Sequence, residues 1–419
     1  MGQPFSIVIQ KNWYFIKTEQ EHSMGNKGFA RGVLTGFICA SLAASAGAGT
    51  VYYLRSRSDS VLSDSQCINK LETLEGMIDH YYLDEKDEEK LKEGLYTGLL
   101  YGLGDTYSRY YTAEEYEEEN TSTEGSYVGI GVAMQKNKNG GAEIVECYEG
   151  GPAKETGMKV GDVIVNVDGQ DVTDSEISDI VDMIRGSEKE NVILTVVRRE
   201  LEEPLILDVP IQNVELPSVF HEMLNEKTGY IQITEFKGVT YDQYMAAVSD
   251  LEEKGMTQLV IDLRDNPGGL LNSVCDILRE ILPQGLIVYT EDKNGVRDEY
   301  TCDGDSPLDI PLAVLVNENS ASASEIFAGA VQDYEVGTIV GETTFGKGIV
   351  QSIIQLADGS AVKLTVSKYY TPNGNNIHQV GIHPDVEVKL DASLLVKDEF
   401  SHEEDNQLQE ALKTFQTSY

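Results

Sequence analysis

Residues 313–331 read AVLVNENSASASEIFAGAV. The apolar run Ala313 to Val316 gives way at Asn317 to a polar turn, and from Ala323 onward Ile326, Phe327, Ala330 and Val331 recur at three and four. A short unbroken apolar run reads as a buried strand and the three-and-four spacing as one helix face, so the stretch predicts strand, turn and helix. That is the connection of an α/β layered core. Ser322 stands at the turn, where a hydroxyl is exposed. The Ala323 N–H beside it, at a helix N-terminus, can face an oxyanion under a favourable dipole. Ser322 and Glu325 also carry the spacing of a plain capping box. On this segment alone the cap is the simpler reading.

Downstream, residues 341–348 read GETTFGKG, followed by Ile349 and Val350. A lysine with its ordinary pKa near 10.4 cannot accept a proton at neutral pH, but apolar burial disfavours the charged form. Lys347, held between two glycines beside Phe345, is therefore a candidate base. Gln351 could orient its amine if the stretch turns helically. In an extended strand, four residues would separate the two by about 13 Å. Upstream, Asp262-Leu-Arg-Asp-Asn-Pro-Gly-Gly-Leu270 follows an apolar run, and its glycine amides are either a second oxyanion donor or a mere turn.

The same reading extends over residues 214–392. Apolar runs at Tyr230 to Ile233, Leu259 to Asp262 and Thr338 to Val340 alternate with helices near 242–252 and 323–334. Residues 126–213 hold five short apolar runs, Val128 to Val132, Ile144 to Cys147, Val163 to Val167, Val192 to Val197 and Leu205 to Val209. One helix interrupts them, with Thr173 and Glu176 spaced as a capping box. This predicts a small β-rich domain.

Between 55 and 125, Ile68, Leu71, Leu74, Ile78 and then Leu91, Leu95, Leu99, Leu103 give two amphipathic helices, and the acidic run Glu114 to Glu119 reads as a solvated linker. These helices need a partner surface, which a second copy meeting through the N- and C-terminal helices would supply. The segment 393–419 is an acidic tail with a helix from about 403 to 415.

Residues 32–54, GVLTGFICASLAASAGAGTVYYL, carry no charge and suffice to cross a bilayer as one helix, or form a cleaved signal segment. Tyr52 and Tyr53 at the end favour the anchor. We expect residues 1–31 on the cytoplasmic side and the large remainder outside a bacterial cell membrane. The net charge of −39 makes nucleic acid a poor partner. Five scattered cysteines and six scattered histidines form no metal or redox spacing, so neither metal nor cofactor is expected.

Two resemblances sharpen these readings. Val128-Gly129-Ile130-Gly131, Gly150-Gly-Pro-Ala153 and GMKVGDVIVNVDG (157–169) together resemble a PDZ domain of the bacterial protease type. This implies that a peptide with a free, apolar C-terminus adds as a strand beside the helix at 174–185, its carboxylate held by the amides of Val128, Gly129, Ile130 and Gly131. DLRDNPGGLL, VNENSASASEIFAGAVQDY and GETTFGKGIVQ, in that order, with LGDTYSRYY (103–111) and YYTPNGNNIHQVGIHPDVEV (369–388), resemble the carboxyl-terminal processing peptidases, or tail-specific proteases. That resemblance implies a Ser-Lys serine endopeptidase with a crotonase-like, Clp-peptidase-like core. Ser322 would be nucleophile, Lys347 base and Gln351 its orienting partner, with Gly268 and the Ala323 N–H forming the oxyanion hole. A non-hydrolytic PDZ-containing binding protein, and a Ser-His hydrolase using His378 or His383, are the competing readings.

Overall fold

The computed structural model describes residues 60–148, 150–186, 189–397 and 400–417. The uncharged stretch 32–54 lies outside the described residues. Among those residues no helix is long and apolar enough to cross a membrane. The chain divides into two compact units, one running to Tyr116 and including Gln351–Thr365, the other comprising Glu117–Val350 and Val366–Tyr419.

In the first unit both expected helices form, α1 (Ser65–Tyr81) and α2 (Glu88–Tyr101), started by Asp64 and Asp87, whose carboxylates accept from backbone N–H groups of the first turn. Leu71, Leu74, Met77, Leu95 and Leu99 on them stay exposed. Strand β1 (Arg109–Tyr111) pairs antiparallel with Ala361–Lys363. Ser108 ties the same segments, its hydroxyl donating to Asp105 at 2.6 Å and accepting from the Thr365 N–H at 3.1 Å.

The acidic run expected as a linker is instead helix α3 (Ala113–Glu124). Thr112 and Glu115 explain the difference. The Glu115 N–H donates to Thr112 Oγ1 at 3.2 Å and the Thr112 N–H to the Glu115 carboxylate at 3.0 Å, a reciprocal cap that starts the helix. Acidic side chains then fill the first turn, where the helix dipole favours them.

The small β domain of the second unit contains β2 (Ser126–Gly129), β3 (Val132–Lys136), β4 (Ala142–Cys147), α4 (Pro152–Glu155), β5 (Val163–Val167), β6 (Gln170–Asp171), α5 (Ile177–Arg185), β7 (Asn191–Val197), β8 (Leu205–Pro210) and β9 (Gln212–Glu215). Its sheet runs β3-β4-β5-β7-β8 with β6 on β5, while β2 and β9 pair separately. Ile144, Ile164, Val192, Leu194 and Val196 bury one face against Ile180 and Ile184 of α5. The capping box expected at Thr173 and Glu176 does not form. Asp171 takes both the N–H and the hydroxyl of Thr173, and the helix starts at Ile177 without a side-chain cap.

The larger domain follows with β10 (Val219–Met223), β11 (Thr228–Ile233), α6 (Thr240–Glu253), β12 (Gln258–Asp262), α7 (Leu271–Arg279), β13 (Gly285–Asp292), β14 (Arg297–Cys302), β15 (Leu312–Val316), α8 (Ala323–Asp333), β16 (Thr338–Gly341), β17 (Ile349–Gln355), β18 (Ala361–Tyr370), β19 (Val386–Glu387) and α9 (Asn406–Thr417). Its main sheet has the order β10-β11-β12-β15-β16-β19 and is parallel from β11 onward. A parallel sheet is covered on both faces, so its strands are apolar at successive positions. Accordingly Ile231, Leu259, Ile261 and Val314 pack toward α6, α7 and α8, while Tyr230, Val260, Ala313 and Leu315 pack against Leu408, Ala411 and Phe415 of α9.

A buried ionic cluster fixes α9 to this second face. Arg264 reaches the Asp262 carboxylate (Nη2 to Oδ2, 2.6 Å), the Asp405 carboxylate (Nη2 to Oδ2, 2.7 Å) and Gln407 Oε1 at 3.0 Å, and the Tyr230 hydroxyl donates to Asp262 at 2.7 Å. Asp405 also accepts from the N–H groups of Gln407 and Leu408. That cap begins the C-terminal helix at 406 rather than near 403. Arg264→Met would strand two buried carboxylates and should lower stability by about 3–5 kcal/mol, read as a fall in the urea midpoint. An unchanged midpoint would show that α9 docks through its apolar side chains alone.

Candidate active site

Ser322 lies where β15 turns into α8, with φ 55° and ψ −113°. A non-glycine residue at positive φ is strained and persists only where its surroundings hold it. Two segments supply that hold. The turn 263–268 is sewn to residues 317–324 by backbone and side-chain bonds: Ala321 N–H to the Asn266 carbonyl (3.0 Å), Asp265 N–H to Asn317 Oδ1 (2.9 Å), and Asn317 and Asn319 side-chain amides to Asp265 Oδ1. On the other side, Phe345 N–H donates to the Ser320 carbonyl at 3.0 Å.

The three serines of the run differ in the way chemistry requires. Ser320 Oγ donates to the Leu263 carbonyl at 2.7 Å and Ser324 Oγ to the Asn266 carbonyl at 3.0 Å, and both residues are wholly buried. Ser322 is partly accessible, the sole such residue between Ser320 and Val331. Its carbonyl accepts the N–H groups of Glu325 and Ile326, while the Ala323 N–H makes no hydrogen bond among the described residues.

Ser322 and Glu325 form the expected capping box, and Glu325 does more. Its buried carboxylate accepts four hydrogen bonds, from the Ser322 N–H (2.8 Å) and Lys347 N–H (2.8 Å) on Oε2, and from the Gly346 N–H (2.7 Å) and Thr344 hydroxyl (2.6 Å) on Oε1. The Tyr369 hydroxyl lies 3.0 Å from the Ser322 carbonyl oxygen and 2.6 Å from that of Lys347. Burial, with the Glu325 charge adding to it, pushes this phenol well above its ordinary range, so it stays a donor. Neither role was legible beforehand: Glu325 read as a helix cap, and Tyr369 only as part of a flanking signature.

Lys347 thus sits beside Ser322 through shared backbone partners, and it is half-buried. The apolar cover expected from Phe345 is not there, because that ring is 56 % exposed; Ile349 is buried and Val350 half-buried. Gly348 is required by close approach, since a Cβ there would stand 2.5 Å from the His378 nitrogen. Gln351 lies in strand β17 rather than on a helical turn, and its side-chain amide donates to Thr365 Oγ1 at 3.4 Å.

Gly268 adjoins the nucleophile position: a Cβ on it would lie 2.7 Å from Ser322 Cβ and 2.9 Å from the Ala323 nitrogen. Its N–H donates to Asn266 Oδ1 at 2.8 Å, so serving an oxyanion would draw that N–H from Asn266. Neither His378 nor His383 has an acidic hydrogen-bond partner among the described residues, whereas His221 pairs with Asp250 and His402 with Glu222 away from the site. His378 Nδ1 is buried without a hydrogen bond, and His383 Nδ1 meets the Thr343 hydroxyl at 3.0 Å.

In the small domain Val128 is exposed and Ile130 buried, with Gly129 in β2 and Gly131 at φ 80° in the turn to β3. The carbonyls of Ile130 and Gly131 accept from Ala153 and Tyr148; the Ile130 N–H makes no hydrogen bond among the described residues, while the Gly131 backbone also meets the Tyr127 hydroxyl. Strand β3 is an edge of its sheet and lies beside α5. Arg185 at the end of α5 stands over the Tyr127 ring at 5.1 Å.

A sequence model of Peptidase family S41 matches residues 227–388, and one of a PDZ domain matches residues 143–198. A carboxyl-terminal-processing protease of Synechocystis is 36% identical over 302 residues, 70% of this chain and 71% of its own length. A probable CtpA-like serine protease of Staphylococcus aureus is 35% identical over 331 residues, 78% of this chain and 66% of its own. The solved photosystem II D1 C-terminal processing protease, at 29% identity, covers 76% of this chain and 86% of its own with a TM-score of 0.44, an overlay too partial to add weight. The two sequence relatives, together with the S41 and PDZ matches, carry the conclusion that this chain belongs to the carboxyl-terminal-processing protease family and is a serine-type peptidase.

Proposed function

We propose that this peptidase hydrolyses proteins near their C-terminal tails with Ser322 as nucleophile and Lys347 as general base. The observation that carries the proposal is the shared carboxylate oxygen of Glu325, which takes the N–H of both residues and so sets them side by side. Ser322 Oγ attacks the scissile carbonyl while the neutral Lys347 amine accepts its proton. Negative charge then develops on the carbonyl oxygen, and the unengaged Ala323 N–H at the start of α8 receives it under the helix dipole. Gly268 walls this hole and is its second donor if Asn266 releases the N–H. The protonated lysine returns its proton to the leaving amine, and water hydrolyses the acyl-serine by the same route.

The PDZ domain selects the tail. The edge strand β3 leaves a row of backbone groups open to strand addition beside α5, and the unengaged amide of Ile130 suits a terminal carboxylate. Residues 32–54 anchor the chain in the bacterial membrane with the catalytic region outside, a reading supported by their uncharged length. The exposed apolar side chains of α1 and α2 support pairing with a second copy. A non-hydrolytic role is disfavoured, since serine and lysine are both present at the strained turn.

Ser322→Ala and Lys347→Arg should each abolish cleavage of an unstructured peptide, whereas Ser320→Ala and Ser324→Ala should lose about 1 kcal/mol of stability and keep turnover. Turnover should fall as pH is lowered, because protonation removes the amine lone pair. Activity surviving Lys347→Ala but lost in His378→Ala would overturn the dyad. Amidating the C-terminus of an otherwise identical peptide should lower its cleavage rate in the full-length enzyme; equal rates would remove the tail-reading role.

A further inference from the structure

Ser322 and Lys347 reach the site on different segments, one at the start of α8 and the other in the loop before β17. Nothing in either segment alone fixes the distance from hydroxyl to amine. Two buried side chains bridge them. Glu325 Oε2 takes both N–H groups at 2.8 Å, and two nitrogens equally close to one atom cannot be far apart. The Tyr369 hydroxyl spans both carbonyls, at 3.0 and 2.6 Å. The peptide groups of the two candidate catalytic residues are thus gripped at their N–H ends by one side chain and at their carbonyl ends by another.

We infer that Glu325 and Tyr369 are positioning residues that set the approach of the Lys347 amine to the Ser322 hydroxyl. The inference rests on the Ser-Lys reading above and assigns no contact with substrate to either residue. Glu325 suits the task because a carboxylate is acceptor-only and can satisfy all four donors at once. A glutamine of the same size brings an NH₂ group, so at least one oxygen position that now accepts two donors would instead present a donor. Thr344 links the clamp to the following loop, its hydroxyl donating to Glu325 and accepting the Ile382 N–H at 2.7 Å. Tyr369 is the complementary half: its N–H donates to the Gly348 carbonyl at 3.2 Å, so its own backbone is tied to the base's neighbour.

The test is single-turnover cleavage of one peptide under enzyme excess, by wild type, Tyr369→Phe, Glu325→Gln and Ser322→Ala, at temperatures where each variant is folded by circular dichroism. Displacing a reacting group by about 1 Å is worth on the order of 10²-fold in rate. The rate constant should therefore fall by on the order of 10²-fold in Glu325→Gln and by about 10-fold in Tyr369→Phe. An enzyme concentration for half-maximal rate close to that of the wild type should accompany both losses. A purely structural role would leave the limiting rate constant at saturating enzyme unchanged and only raise the total enzyme concentration needed to reach it, and that result overturns the inference. If Glu325→Gln does not fold, Tyr369→Phe decides: a folded variant with the wild-type rate constant defeats the proposal. Ser322→Ala separates the two levels. Turnover by Ser322→Ala sinks the dyad itself, whereas an inert Ser322→Ala beside a fully active Tyr369→Phe sinks only the positioning role.

Discussion

The buried carboxylate of Glu325 is the interaction on which the rest of the site depends. Stripping water from a carboxylate is costly unless its oxygens find donors, and here three backbone N–H groups and one hydroxyl supply them. Those donors come from the Ser322 turn and from the loop of Thr344, Gly346 and Lys347. Satisfying the charge therefore assembles the site. The positive φ of Ser322 follows from the same requirement, because the residue must turn its N–H inward to Glu325 while its carbonyl starts the helix.

That assembly stands on a rigid platform. The parallel strands β11, β12, β15 and β16 are buried on both faces, and the turns at their ends carry the DLRDNPGG segment and the Ser322 loop. Asp262 and Arg264, in the middle of a motif that reads as chemistry, serve the platform. They join Tyr230 and Asp405 in a buried ionic cluster that holds α9 against the far side of the sheet. The same eight residues thus divide their work, with Asp262 and Arg264 turned into the fold, Asp265 holding Asn317 and Asn319, and Gly268 facing the nucleophile.

Much of this was legible in the sequence because apolar period reports burial directly. The strands at Ile144, Val163, Val192, Leu205, Tyr230, Leu259, Ala313 and Thr338, the helix from Ala323 and the two amphipathic helices from Ser65 fall where spacing placed them, whereas the run Val128 to Val132 splits between β2 and β3, and β13, β14, β17 and β18 show no clear period. What was not legible depended on partners distant in sequence. Glu325 looked like a local cap because three of its donors lie about twenty residues away. At Thr173 the competitor is local instead: Asp171, two residues earlier, takes the hydroxyl that the capping spacing assigns to the helix. The acidic run at Glu114 reads as a linker for the opposite reason: its cap at Thr112 is local, but the density of like charge masks it. Phe345 was expected to cover Lys347, yet a ring next to a glycine can turn outward, and it does.

The claim that everything else serves is that Ser322 is the atom-donating nucleophile and Lys347 removes its proton. Acid-quenched reaction of the enzyme with an activated peptide ester, followed by mass-spectrometric mapping of the acyl group, addresses it most directly. One acyl group should form, on Ser322 and not on Ser320 or Ser324, more slowly as the pH is lowered and not at all in Lys347→Ala. An acyl group on any other residue, or acylation of Ser322 undiminished in Lys347→Ala, would contradict it.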